Sequence, residues 1–454
     1  MKTGILRWVR FFLVLGLAAG RAGAQDTGTN GPLWLSHPLT MTEALNLALQ
    51  QNGNVLRGKS DLEAQYGLVV QTRAVAIPKL AVTGNYTATT ETEQFPFPNP
   101  PPTQDQTWAA HFQVTQAIYQ GGQIRSALRS AKMTKEEALL NYETVLADAL
   151  LQARIAYYDV LSAADQVGVE EASVKLLTQQ LDDQTRRYEA GTVPRFNVLQ
   201  AQVELSNEKP KLIQAHNVLR VAKNNLVNQM GEHIPTGVQE DVPLELADKL
   251  NADAYSIELT QAIAQALKGR TELLALRKQE LVEKEAVITA QGNYKPTVSL
   301  SGGYGAHNTE FDNNLSHAVP GWTGGAQLSW SVFDGLLTAG KVEQAKALYE
   351  GAKVDVENEA RSIELEVRTD YSDFIEAQEV LESQAKAVEE AEESLRLAKA
   401  RSDAGTGTQL DTLSSQTSLT QARSVQVRAL HDYDVARARL ERAIGLNVTQ
   451  TTGK

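Results

Sequence analysis

The sequence predicts a mostly α-helical chain built as two internal repeats, each joining one β-hairpin of membrane-barrel length to one long helix pair. Three observations carry this. Residues 187–231 and 401–445 align without a gap: Ala190-Gly191-Thr192 lies on Ala404-Gly405-Thr406, Leu199 on Leu413, Ala222 on Ala436, Leu226 on Leu440 and Gly231 on Gly445. A period of 214 residues far exceeds a solenoid unit of roughly 20–50, so a domain-sized unit is duplicated. Hydrophobicity alternates with period two after Pro78 and again after Pro296, as strands require. Between Thr103 and Val193, and after Pro320, there is no proline, which leaves tracts long enough for very long helices.

The elements follow in order. Lys2, Arg7 and Arg10, the apolar run Phe11 to Ala19, and the small-residue exit Ala22-Gly23-Ala24 mark residues 1–24 as a secretory signal peptide. No cysteine follows the cleavage site, which excludes a lipid anchor on that residue. Cleavage removes four basic residues and no acids, taking the formal charge from −12 to −16. That argues against nucleic acid as a partner, since binding it needs basic stripes. The chain has no cysteine at all, so an exported protein of this size gains its stability from packing or assembly. No later apolar run reaches the ~18–20 residues of a membrane helix. If the chain enters a membrane, it does so as strands.

Residues 25–38 form an N-terminal extension. The first repeat, 39–231, opens on a short helix expected to be capped by Thr42, followed by a helix from about Val55 to Ala76. Its hairpin, 80–119, places Leu80, Val82 and Tyr86 on one face of the first strand and Thr83, Asn85 and Thr87 on the other. A loop rich in proline, from Phe95 to Pro102, leads to a strand with Trp108, Phe112 and Val114 on one face and His111, Gln113 and Thr115 on the other. Long helices follow over 123–190 and 195–230. Pro210, inside the second, is expected to kink or break it. Residues 232–258 form a linker packing outside the helices. The second repeat, 259–446, carries a hairpin at 297–334 and long helices at 338–403 and 408–444, and 447–454 is a tail. Its strands alternate Val298, Leu300 and Tyr304, then Trp322, Leu328, Trp330 and Val332, with polar residues between.

Strands of about ten residues have the length for an outer-membrane barrel. Tyr86, Trp108, Tyr304, Trp322 and Trp330 read as an interfacial aromatic belt. Four strands cannot close a barrel, since about eight is the smallest closed size, and open edges are not tolerated in lipid. If the strands span a membrane the chain must therefore oligomerise, and the residues permit eight strands in a dimer, twelve in a trimer, or more. The competing architecture is a periplasmic coiled-coil scaffold whose hairpins form a small soluble sheet without a pore.

No catalytic constellation is present. The seven histidines lack metal-ligand spacing, and no G-x-S-x-G, P-loop or paired-cysteine motif occurs. The sequence thus points to neither an enzyme nor a cofactor or metal protein. Glu389-Glu390 and Glu392-Glu393 read as a solvated helix face. The two Gly-Thr turns are the informative places: glycine suits a helix end with positive φ, and Thr192 and Thr406 are expected to help cap the helices that follow.

In the order and spacing of these features the chain resembles the TolC-like outer-membrane efflux family. The matching residues are Leu39-Thr40, Glu43-Ala44-Leu45, Ala48-Leu49 and Asn52; Pro78; Tyr119-Gln120-Gly121-Gly122; Tyr188-Glu189-Ala190-Gly191-Thr192 with Asn197-Val198-Leu199; and Ala404-Gly405-Thr406 with Asp411-Thr412-Leu413. The resemblance covers roughly residues 37–446. It implies a homotrimer with a twelve-stranded barrel in outer-membrane lipid, continued by a long α-helical barrel across the periplasm. It implies an exit duct for a tripartite efflux pump or type I secretion system, partnered by a periplasmic adaptor protein and an inner-membrane transporter. It makes Gly191, Thr192, Gly405 and Thr406 candidate adaptor contacts at the periplasmic tip, and Asp411 a candidate pore-constriction residue. The chain departs from the family pattern at Asn197, Gly407 and Ser414, where the pattern has Asp, Arg and Asp.

Overall fold

A computed structural model describes residues 37–88, 106–234, 240–308 and 315–446. The signal peptide, nearly all of the N-terminal extension, the Phe95–Pro102 loop, part of the linker and the C-terminal tail lie outside the described residues.

Among the described residues eight α-helices and four strands run in the order α1 (Met41–Gln51), α2 (Gly53–Arg73), β1 (Lys79–Ala88), β2 (Gln106–Gln120), α3 (Gln123–Glu189), α4 (Arg195–Met230), α5 (Leu259–Gly269), α6 (Thr271–Gly292), β3 (Thr297–Asn308), β4 (Ala318–Ser329), α7 (Leu337–Asp403) and α8 (Gln409–Ile444), with a 3-10 turn at Ala74–Ala76 after α2. The duplication is reproduced element by element. α1 and α2 map onto α5 and α6 with an offset of 218, and α3 and α4 onto α7 and α8 with an offset of 214. α3 and α7 each have 67 residues, close to 100 Å at ~1.5 Å per residue.

α1 is capped by Thr40, not Thr42. The Thr40 hydroxyl accepts from the Glu43 N–H and the Glu43 carboxylate accepts from the Thr40 N–H, at 3.3 and 3.0 Å. Glutamate three residues after the threonine closes this reciprocal box, and Thr42 has no such partner. Asn52 ends α1 and caps α2 through its side-chain oxygen, 2.8 Å from the Asn54 nitrogen. α4 continues unbroken through Pro210. The proline lies on an exposed turn, so the carbonyl of Ser206 that loses its donor also lies where water is available.

The strands form one antiparallel sheet in the order β1-β2-β3-β4. Each hairpin pairs internally, and β2 of the first repeat pairs with β3 of the second. Val82, Phe112, Tyr304 and Trp322 stand in one cross-strand row, with Tyr304 and Trp322 ring centroids 4.9 Å apart. Tyr86 faces Trp108 in a row nearer the hairpin tips. The opposite face carries Thr83, His111 and Gly305, then Gln113, Gly303 and Thr323. Near its outer end the sheet is pinned by the buried Asn308, whose side chain accepts from the Trp108 N–H and donates to the Gln106 carbonyl.

β4 stops at Ser329, so Trp330 lies just beyond the sheet and the hairpin expected to reach 334 is shorter. The chain must turn there into α7, with Gly335 and Leu336 at φ 68 and 70°. Trp330 is instead held by its indole N–H donating to the Tyr294 carbonyl.

The helices pack side by side. α3 packs on α2 and α6 in its upper part and on α4 and α8 below, and α7 packs on α6 and α8. Two equivalent cores sit at mid-height. One gathers Leu39, Tyr157, Val160, Leu226, Met230 and Leu244, the other Ala262, Ile363, Phe374, Tyr433, Leu440 and Ile444. The linker serves both: Leu39 bridges Leu246 and the Tyr157 hydroxyl donates to the Leu39 carbonyl and to Asp248 at the first, while Tyr255 and Ile257 pack on the second. Ion pairs then tie the repeats together, Arg154 with Glu441 and Arg442 with Asp148, while Arg442 also pairs with Glu272 inside the second repeat.

His431 of α8 extends this tie. Its ring nitrogens lie 2.7 Å from Asp159 of α3 and 3.0 Å from Asp432. Burial favours the neutral ring, but hydrogen bonds to the two carboxylates outweigh it and the histidine pKa is raised. Asp370, also on this face of α7 and α8, is pushed up to about 6 by burial and by repulsion from Glu366 and Asp373. Both folded values lie above the unfolded ones, so both contributions are complete at low pH and fade as pH rises through the raised values. Melting temperature is therefore expected to fall between mildly acidic and mildly alkaline pH. His431→Asn is expected to flatten the part of that fall above the ordinary histidine range, as a pH series of thermal melts checks.

Candidate functional site

The two reversing turns at the end of the long helices are built alike. In the first, the N–H of Gly191 donates to the Tyr188 carbonyl and that of Thr192 to the Arg187 carbonyl, at 2.8 and 2.9 Å. In the second, Gly405 bonds Ser402 and Thr406 bonds Arg401, at 3.1 and 2.9 Å. This is the Schellman pattern of helix ends. Gly191 and Gly405 hold φ of 74 and 75°, and a Cβ at either would meet nothing within 4 Å. The glycines are thus demanded by backbone angle, and the space above each remains open.

The threonines act in the opposite sense from the expectation. Thr192 Oγ1 donates to the Arg187 carbonyl at 2.8 Å and Thr406 Oγ1 to the Arg401 carbonyl at 3.3 Å. They finish the preceding helix, whose last carbonyls lack partners, rather than start the next. α4 begins at Pro194 with no side-chain cap. α8 begins at Thr408, whose hydroxyl accepts from the Asp411 N–H while the Asp411 carboxylate accepts from the Thr408 N–H, at 3.1 and 3.0 Å.

Asp411 therefore has a structural post. The Thr408 N–H, then the Thr408 hydroxyl, hold its carboxyl below the ordinary aspartate value. It stays exposed and lines an open groove of about 850 Å³ between α7 and α8, with Glu390, Glu393, Arg401, Gly407 and Ser414. An ionised carboxylate is thus fixed in an acid-rich groove between the two helices. Within that lining Glu393 is answered by Arg396, and Glu392 beside it by Arg423.

The two tips also touch. Arg187 reaches Asp403 at 3.3 Å and Asp183 at 2.8 Å, and the Gln409 side chain donates to the Asn197 carbonyl at 3.2 Å. These contacts escaped the sequence reading. The threonine-x-x-aspartate spacing at Thr408 was the available signal for the cap, whereas no local signal announces the Arg187–Asp403 pair. Of the aromatic residues, Tyr86, Trp108, Tyr304 and Trp322 share the sheet's apolar face, and Trp330 stands apart beyond β4. Among the described residues no cluster of histidines and acids suits a metal ion, and no helix is long and apolar enough to cross a membrane.

Two substitutions separate these local roles. Thr408→Ala is expected to cost about 1 kcal/mol in the first turn of α8 and to speed amide exchange at Asp411. Gly405→Ala is expected to cost about 1–2 kcal/mol through backbone angle alone, with exchange rising at Thr406 and the end of α7 rather than in α8.

Comparison with known proteins agrees with this architecture. A family model described as outer membrane efflux protein matches residues 44–232 and again 262–446, one match for each repeat. Outer membrane protein TolC of Escherichia coli (strain K12) is 23% identical over 425 residues, covering 90% of this chain and 83% of that protein. Alkaline protease secretion protein AprF of Pseudomonas aeruginosa is 23% identical over 304 residues, covering 64% of this chain and 60% of that one. The crystal structure of the outer membrane protein VceC from Vibrio cholerae superposes with a TM-score of 0.75 at 18% identity, over 89% of this chain and 96% of that chain. The chain belongs to the outer membrane efflux protein family, as a non-enzymatic transport protein of the outer membrane whose helical part extends into the periplasm.

Proposed function

We propose that three copies of this chain form a passive exit duct, a twelve-stranded barrel in the outer membrane continued by a helical tunnel. The duct serves a tripartite efflux pump or a type I secretion system. The observation that carries the reading is the open four-stranded sheet: one face apolar and aromatic, the other polar, with β1 and β4 unpaired at its edges. Such a sheet has the faces of a barrel wall and lacks only the strands that would close it. The family membership and the secretion role in the name of AprF support efflux or secretion as the class of activity.

At the far end, Gly191, Thr192, Gly405 and Thr406 form the surface that meets the adaptor of an inner-membrane transporter. Two rigid turns with open space above their glycines suit a repeated docking contact. Asp411, one per chain, contributes to a ring of carboxylates that concentrates cations at the narrow mouth.

Detergent extraction of outer membranes is expected to yield a complex with the mass of three chains, and recovery as a soluble periplasmic monomer would sink the reading. Gly405→Lys and Gly191→Lys are expected to abolish export in cells lacking another exit duct while the complex stays intact. Gly405→Ala, which shares the backbone strain without the bulk, is expected to retain export; normal export by both lysine variants would remove the docking surface. In planar bilayers, divalent cations are expected to block the wild-type channel more strongly than Asp411→Ala, and equal block would remove the constriction role.

A further inference from the structure

The lower part of the first helix pair holds two buried carboxyls. Glu170 of α3 and Glu208 of α4 are 7 and 6% exposed, and each acts on the ionisation of the other. Hydrogen-bond donors are divided unequally between them. Glu208 Oε1 accepts from the Ser173 hydroxyl at 2.6 Å, and its Oε2 from the Lys211 ammonium at 2.8 Å. Glu170 Oε1 accepts from the Gln166 amide at 2.8 Å, while its enclosed Oε2 receives no hydrogen bond. α8 closes the cluster with uncharged groups: Ser424 accepts from Gln166 at 2.9 Å, and Thr420 donates to Ser173 at 3.3 Å.

Lys211 is the cation that acts on both carboxyls, and Glu204 adds a further negative charge beside it. On the neighbouring exposed flank Glu171 and His216 pair with each other at 3.8 Å. On the α8 side Arg428 lines the same groove as Glu170, as does His431, which bonds Asp159 and Asp432. One cation set against two buried carboxylates leaves a negative charge uncompensated where burial makes it costly. Two carboxyls in one site relieve this by keeping a proton between them. Ser173 and Lys211 fit Glu208 as the anion. A carboxylic acid accounts for the undonated oxygen of Glu170, because it is itself a donor. The directions of titration agree. Burial raises Glu170, and the charge of Glu208 adds to this against the Gln166 bond and Lys211. Burial pushes Glu208 upward too, but the bonds from Lys211 and Ser173 outweigh it and hold Glu208 below the ordinary value.

The duplication shows that a helix pair of this kind does not need the cluster. At the offset of 214, Gln166, Glu170, Ser173, Glu208 and Lys211 become Val380, Gln384, Ala387, Ala422 and Val425. α7 and α8 pair along the same length with no acid at the equivalent places. The first repeat alone also carries Pro210, two residues beyond Glu208, where the second has Ser424. Its missing N–H leaves α4 one backbone bond short in the turn that carries Glu208.

We propose that Glu170 and Glu208 share a single proton, which latches α4 to α3 beside the weakened turn at Pro210 and releases it as pH rises. The proton leaves to water through the open groove of about 790 Å³ between α3, α4 and α8 that Glu170 lines. Two carboxylates then repel each other across the joint. One turn towards the tip, Leu177, Leu205 and Leu413 stay in contact, so the joint softens locally and α4 keeps its place. Glu170, raised on folding, contributes fully below the ordinary glutamate value and fades as pH rises through its raised value. Glu208, lowered on folding, contributes above that ordinary value and fades as pH falls through its lowered one. The latch is tightest between the two. It lies within one chain and does not depend on how copies assemble.

Infrared difference spectra of the detergent-extracted full-length protein, wild type minus Glu170→Gln, isolate the carbonyl stretch of protonated Glu170 through a pH titration. Its midpoint is expected above the ordinary glutamate value. In Glu208→Gln, read against the matching double variant, the midpoint is expected to move down, because an amide donor replaces the neighbouring anion. A wild-type midpoint at or below the ordinary value, or no downward movement in Glu208→Gln, overturns the shared proton. Amide protection, corrected for intrinsic exchange, reads the latch itself. Over residues 201–212 it is expected to fall by up to about tenfold per pH unit, the most that one proton allows, while residues 387–398 of α7 stay level. Glu170→Gln, whose amide donates at every pH, is expected to hold 201–212 level as well. A flat wild type, or an equally steep fall in Glu170→Gln, overturns the latch.

Discussion

The backbone hydrogen bonds that β1 and β4 do not make within the chain are the constraint on which the rest of this structure turns. In water an unpaired strand edge is solvated at small cost; in the hydrocarbon of a membrane each unpaired amide costs several kcal/mol. A sheet with the apolar row Val82, Phe112, Tyr304 and Trp322 on one face is suited to lipid only if both edges are met. Four strands cannot curl far enough to meet each other. The duplication is then an economy of parts: one hairpin and one helix pair, used twice per chain and, on the proposed reading, completed by other copies.

The same constraint explains why the helical part is arranged as an open layer. Each hairpin is rigidly continuous with a helix of about 100 Å, so the spacing of the strands sets the spacing of the helices below them. The layer carries no thick core. Its apolar side chains collect at mid-height, where the N-terminal segment, the linker and α5 lie against α3, α4, α7 and α8. The ion pairs of Arg154, Arg442 and His431 bind the repeats at the same level. Below it a smaller apolar cluster of Leu177, Leu205 and Leu413 joins α3, α4 and α8, and Arg187 reaches Asp403 at the tips.

Much of this was legible in the sequence because it rests on periodicity. The change from period 3.6 to 2 at Pro78 and Pro296 located both hairpins, and proline-free tracts bounded by the glycine turns at Gly191 and Gly405 allowed the long helices now seen as α3 and α7. What escaped depends on contacts between distant residues or on competition between neighbouring ones. Thr40 outcompetes Thr42 because only Thr40 has Glu43 three residues on. β4 ends before Trp330 because the turn into α7 must begin, a tertiary demand that alternation cannot express. Thr192 and Thr406 turn back because the Schellman turns bring their hydroxyls onto the Arg187 and Arg401 carbonyls; ahead of them α8 is capped by Thr408 and α4 has no side-chain cap. Pro210 sits in an intact helix because its missing bond falls where water can replace it. Asp411, singled out for its charge, is also the second half of a capping box; both roles need the same ionised carboxylate, and its position gives no choice between them.

The most direct test of the account is amide hydrogen exchange strand by strand in outer-membrane vesicles. If β1 and β4 are joined across chains in a closed barrel, their outward-pointing amides are expected to be as slow to exchange as those of β2 and β3, which are paired on both sides. Rapid exchange confined to every second residue of β1 and β4, the pattern of a free strand edge, would contradict it.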